Sequence, residues 1–189
     1  MHIRLGFISN SSSSSFIVIN GNPYYTIIDD NILVIGDGGY DEFGWGPCII
    51  KDVYSKITFT YLQIKYLERC LEPNSYWRMG TDSYAKRWQE KYLDDELPAK
   101  WKAMFEKVIY ENAPNLVDID YKLIDRGFES EDYYIDHQSN IQNEYNAQMF
   151  KDEESMKRFM FDQNVWLILD NDNDCNYEGN FLGIIWKGD

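Results

Sequence analysis

The chain has 189 residues, a net charge of −14 and an aromatic share of 16%, with fifteen Tyr, ten Phe and six Trp. A single domain of this length buries roughly 70% of the surface its unfolded form exposes, so its core needs neither disulfides nor a structural metal, and the aromatic content excludes disorder throughout. Acidic side chains outnumber basic ones 19 to 8 in residues 101–189 and 12 to 3 in residues 111–154, which disfavours direct binding of nucleic acid or anionic membrane and favours a protein partner with a basic surface.

In chain order, residues 1–15 form a serine-rich leader to a single domain over 1–189. Phe16–Ile19 is a short apolar run with β-branched residues, which predicts a buried strand. Asn20-Gly21-Asn22-Pro23 marks a turn. Tyr25–Ile28 and Ile32–Ile35 are predicted as two strands of a hairpin turning at Asp29-Asp30-Asn31. Gly36–Gly46 reads as a glycine-rich acidic loop, and Ile49–Thr60 has no decisive period.

The middle of the chain is predicted helical. Ile64, Leu67 and Leu71 share one face of a helix that Pro73 ends. Tyr84, Trp88 and Tyr92 recur at four-residue spacing on a second, and Trp101, Met104, Phe105, Val108 and Ile109 form the stripe of a third that opens at Pro98 and closes at Pro114. Val117, Ile119, Tyr121 and Leu123 alternate with polar residues, the period of a half-buried strand. After a polar stretch from Glu129 to Gln148, Asp152, Glu153 and Glu154 open a short helix with Lys157 and Arg158 nearer its end, the charge order a helix dipole favours. Val165–Leu169 and Phe181–Trp186 are predicted as a closing hairpin. The expected fold is α+β: a single sheet with three or four helices, strands at both ends of the chain and a helical middle.

Cys48, Cys70 and Cys175 share no close spacing, which points to a reducing cytosol rather than a disulfide framework or a zinc ligand set. No apolar run is long enough for a transmembrane helix. Ser11, Ser12, Ser13, Ser14 and Ser15 lack the Gly-Lys-Ser/Thr ending of a phosphate-binding loop and have no adjacent base. They read as a locally hydrogen-bonded lead-in to a strand, or as a processing or modification site. Asp170, Asp172 and Asp174 have the opening spacing of a calcium loop, but Cys175 and Phe181 stand where that loop needs Gly and Glu, leaving only a weak metal candidate.

The opening MHIRLGFISNSSSSSFIV resembles an N-terminal signature of otherwise unlike tailed-bacteriophage proteins: Gly-Phe-(Val/Ile)-Ser-Asn, a serine run, then Phe. DEFGW at 41–45, YIDHQS at 134–139 and the late helix leading to DND are similar to pieces of one uncharacterised phage and prophage family. The resemblance implies origin, and with it the cytoplasm of an infected or lysogenic bacterial cell, but no catalytic role. Its matching pieces, with the acids beside them, supply the candidate binding residues Glu42, Trp45, Glu129, Glu131, Asp132, Tyr134, Asp136 and His137.

These features lead to an expected non-catalytic acidic protein, an accessory or an inhibitor of a host protein, acting without a cofactor. One alternative is a metal-dependent hydrolase or nuclease that uses Glu42, Asp136, His137 and Asp172 with a divalent metal. Another is a virion component whose serine leader is processed.

Overall fold

The longest helix among the described residues grows from a stretch with no polar face. In the computed structural model, which describes residues 3–4, 15–37, 42–43, 48–71, 96–125, 134–135, 150–169, 178–179 and 183–188, helix α1 spans Val53–Leu71. Every residue from Ser55 to Ile64 is buried. A helix enclosed on all sides shows no amphipathic period, which is why Ile49–Thr60 is ambiguous in sequence although Ile64 and Leu67 are plainly helical. Asp52 opens α1 by accepting the Ser55 N–H at 2.7 Å. The hydroxyl of Thr60 is satisfied internally, on the Lys56 carbonyl.

Helix α2 spans Leu97–Asn112, with Pro98 in its first turn. It buries Trp101, Phe105, Val108 and Ile109, the predicted stripe, while Met104 packs partly buried against the same core. Ala113 follows outside the helical region (φ −135°, ψ 78°), which the next residue, Pro114, disfavours. Helix α3 spans Glu153–Phe161 and is capped by Asp152, whose carboxylate accepts from Ser155 N–H while the Ser155 hydroxyl accepts from Asp152 N–H. A helical turn covers 122–125, and the predicted helix through Tyr84, Trp88 and Tyr92 lies outside the described residues.

Among the described residues, ten strands accompany these helices: β1 (Ile3–Arg4), β2 (Ser15–Ile19), β3 (Ile32–Val34), β4 (Glu42–Phe43), β5 (Cys48–Ile50), β6 (Asp118–Asp120), β7 (Tyr134–Ile135), β8 (Val165–Leu169), β9 (Glu178–Gly179) and β10 (Gly183–Gly188). Four of them form an antiparallel sheet in the order β10-β2-β8-β5, and the others pair as β1–β9, β3–β6 and β4–β7. The protein is α+β, with strands at both ends and a helical middle.

Three sequence expectations change here. The closing hairpin does not form: β8 and β10 both flank β2, which lies between them. The connection from 170 to 182 is much longer than a hairpin turn of two to five residues, so it imposes no pairing of its ends, and the apolar β2 takes a neighbour on each side. Tyr25–Ile28 and Ile32–Ile35 do not form a hairpin either. Tyr25 bridges Asp162, and β3 runs parallel to β6, pairing Ile32 with Asp118 and Val34 with Asp120. The alternating run from Val117 is a strand only over β6, because the Asp120 carboxylate accepts the Lys122 N–H and turns the chain into the helical turn that follows.

The core lies between the sheet and the helices. Phe59 of α1 meets Phe43 and Phe159 edge-on, at centroid distances of 5.2 and 5.8 Å, and Phe150 continues the row to Trp101 at 5.1 Å. Ile17, Ile50, Val165, Leu167 and Leu169 contribute one face of the sheet to the same cluster. Phe43 explains why the predicted glycine-rich loop holds a strand: a fully buried aromatic fixes β4 within it. Gly36 begins that segment at φ 94°, a left-handed conformation that favours glycine, and its N–H donates to the Thr58 hydroxyl.

Candidate functional site

Two of the predicted binding residues meet in the backbone. Strands β4 and β7 run parallel with Glu42 opposite Tyr134 and Phe43 opposite Ile135. The segment DEFGW is thereby joined to the strand that leads directly into Asp136 and His137, across some ninety residues of sequence. Trp45, Glu129, Glu131, Asp132, Asp136, His137, Asp170, Asp172 and Asp174 lie outside the described residues, as do Ser11, Ser12, Ser13 and Ser14. Ser15 is the first residue of β2, in register with Leu169 on one side and Gly188 on the other. Among the described residues, no three His, Cys, Asp or Glu side chains gather closely enough to hold a metal ion, and no helix is long and apolar enough to cross a membrane.

A buried polar centre sits where α1 passes the junction of α3 and β8. The Lys56 ammonium donates to the carbonyls of Asp162 at 2.7 Å and Val165 at 3.1 Å. The Asp162 carboxylate, itself fully buried, accepts the N–H groups of Tyr24 and Asn164, both at 2.9 Å, and its other oxygen lies 3.8 Å from Arg158 Nε. Burial lowers the Lys56 pKa to about 8, with Asp162 and Asp52 opposing the shift. An amine tied to two main-chain carbonyls is a clasp between elements. It fixes the turn after α3, where the Asp162 carboxylate in turn holds the Tyr24 N–H.

A second network joins α1, α2 and the turn after β6. Tyr61 donates to Asp125 and Tyr121 to Glu106, each at 3.0 Å, with the two rings 4.7 Å apart. Burial comes first and the neighbouring acids second in holding both phenols protonated far above the ordinary tyrosine range. Lys65 spans Glu68 and Asp125 and partly balances the charge.

The remaining constellation is on the surface. Ile27, Ile32, Val117 and Tyr54 are 68%, 57%, 77% and 37% exposed. They come from three separate segments that hydrogen bonds hold together. Ile28 N–H donates to Asn112 O, Val117 N–H donates to Asn31 O, and Ile32 is in register with Asp118. The Tyr54 hydroxyl donates to Asp30 at 2.7 Å, and the Asn115 amide donates to Asp29. Hydrogen bonding to Asp30, ahead of burial, raises the Tyr54 pKa to about 12. Asp29, Asp30 and Asp118 thus stand among exposed apolar side chains, and their carboxylates accept from an amide, a phenol and a main-chain N–H, all of them neutral. The sequence pattern places Ile27, Ile32 and Val117 in strands and gives no sign of a shared exposed surface. The acidic composition of 111–154 was the only signal in this direction, and it could not show that Asp29 and Asp30 join that segment.

No protein-family model, curated protein or solved structure matches the chain.

Proposed function

We propose that this chain is a non-catalytic, phage-encoded binding protein that presents an acidic face to a basic surface of a host protein, as an accessory factor or an inhibitor of host defence in the bacterial cytoplasm. The observation that carries the reading is the excess of 12 acidic over 3 basic side chains in residues 111–154. Exposed Asp29 and Asp118 extend that charge onto a shared surface. Complementary charge speeds encounter and sets specificity, and an acidic face of this kind competes with nucleic acid for the groove of a basic protein. The test is capture of host proteins on immobilised full-length chain, followed by affinity measurement for each protein identified. The expected partner is basic and loses affinity at least about tenfold between low and high salt, as screened exposed charges require. A specific partner bound equally well at both salt concentrations would count against the reading.

The β4–β7 pairing favours a second reading, a metal-dependent hydrolase or nuclease using Glu42, Asp136, His137 and Asp172, because it puts two of the contributing segments side by side. A divalent ion there would supply an activated water and a local positive charge. Calorimetric titration with manganese separates the readings: saturable binding that His137→Ala abolishes supports the hydrolase, and its absence removes it.

A further inference from the structure

The geometry points to the surface formed by Ile27, Ile32, Val117 and Tyr54 as a docking site for an extended, amphipathic basic segment of a partner protein, one that alternates apolar and cationic side chains. This rests on the acidic-binding reading and gives it a location and a ligand chemistry.

Three observations lead here. First, the segments that bear these apolar side chains are joined by the chain's own bonding: Val117 N–H donates to Asn31 O at 2.8 Å, next to Ile32, and the segment bearing Ile27 is tied to the end of α2 through Ile28 N–H and Asn112 O at 3.1 Å. Exposed apolar side chains scattered singly are ordinary, whereas a connected group rimmed by polar residues marks an interaction surface. Second, three carboxylates stand beside these side chains: Asp29 and Asp118 are exposed, Asp30 is half-buried, and their hydrogen bonds come from a neutral amide, a phenol and a main-chain N–H. Third, the strand pair β3–β6 alternates: Ile32 and Asp118 face outward in register, while Leu33 and Ile119 turn inward to the core. An apolar and an acidic side chain side by side match a segment that offers an apolar and a cationic one at the same spacing.

A second copy of the chain fits less well. A two-fold contact would bring Asp29, Asp30 and Asp118 against their own equivalents in a protein of net charge −14, and like charges facing one another oppose association.

The experiment uses the full chain, isotopically labelled, and two synthetic peptides of equal length and charge, one alternating Lys with Leu and the other Lys with Ser. In low salt, the Lys-Leu peptide is expected to bind at least about tenfold more tightly than the Lys-Ser peptide, since apolar anchors at the centre of an interface carry much of the affinity. Its amide shift changes should fall on residues 27–32 and 115–118. The doubly substituted Ile27→Asp, Val117→Asp chain changes only exposed positions, and near-ultraviolet circular dichroism confirms its packing. It should lose that tenfold preference, while Asp29→Asn with Asp118→Asn should weaken both peptides. Equal binding of the two peptides, or shift changes located elsewhere, would overturn the docking site and leave the acidic-binding reading standing. A concentration-dependent dimer abolished by Val117→Asp would overturn it in favour of self-association. No binding of either peptide in low salt would overturn both readings.

Discussion

Burial removes water from the Lys56 ammonium and lowers its pKa to about 8, although Asp162 and Asp52 pull the other way. Between that value and the ordinary lysine value of 10.5, the unfolded chain binds more protons at this position than the folded one. Stability from Lys56 therefore rises as pH increases across this window and is level below it. Compared with Lys56→Met, the native chain should gain roughly 2–3 kcal/mol between pH 7.5 and 10, a bound set by the size of the pKa change. Urea unfolding of both proteins at the two pH values measures this. A constant difference would mean that the amine is solvated. The sequence could not reveal this residue's position: Lys56 lies between Ser55 and Ile57 in a stretch without period, and only the carbonyls of Asp162 and Val165, more than a hundred residues away, explain a buried lysine.

At the level of elements, legibility followed burial on one face. Helix α2 has a single apolar stripe, and Pro98 and Pro114 bracket it, so its extent was readable within two residues. The short helix α3 was marked by its charge order, and the structure adds the reciprocal cap between Asp152 and Ser155. Asp152→Ala should destabilise the protein by about 1 kcal/mol, the usual cost of a lost N-cap, measured as a lower urea midpoint at unchanged slope. Strands β4 and β7 were not legible, since two residues have no period. Their pairing depends on Phe43 being drawn against Phe59 rather than on any local preference. Strand β6 was overextended because alternation continues in the sequence past the point where Asp120 turns the chain.

For the whole molecule, the two ends of the chain pair with each other in two sheets. Strand β2 lies between β8 and β10, and β1 pairs with β9, so both pairings join the first twenty residues to the last twenty-five. Removing residues 1–19 would leave β9 and the edges of β8 and β10 that face β2 without their pairing strands, and would take the buried Ile17 and Val18 from the sheet. The truncated chain is expected to lose cooperative thermal unfolding altogether, measured by calorimetry. A truncated protein that still unfolds in one sharp transition would show that the helices and the β8–β5 pair suffice. The surface around Ile27, Ile32 and Val117 belongs to this scale too, since it exists only where residues 27–32 meet residues 112–118.

The sequence by itself determined the α+β class, the two helices with one apolar face, the strand residues of β2 and β8, and the late concentration of acidic charge, because each of these is written in local period, capping chemistry or composition. Tertiary structure alone decided which strands are neighbours, that α1 is enclosed from Ser55 to Ile64, that Lys56 is buried, and that Asp29 and Asp30 share a surface with Asp118. The physical reason is common to all four. Hydrogen-bond partners, the loss of water around a side chain and the summing of charge over a surface depend on groups far apart in the chain, and local pattern holds no record of which distant segment will supply them.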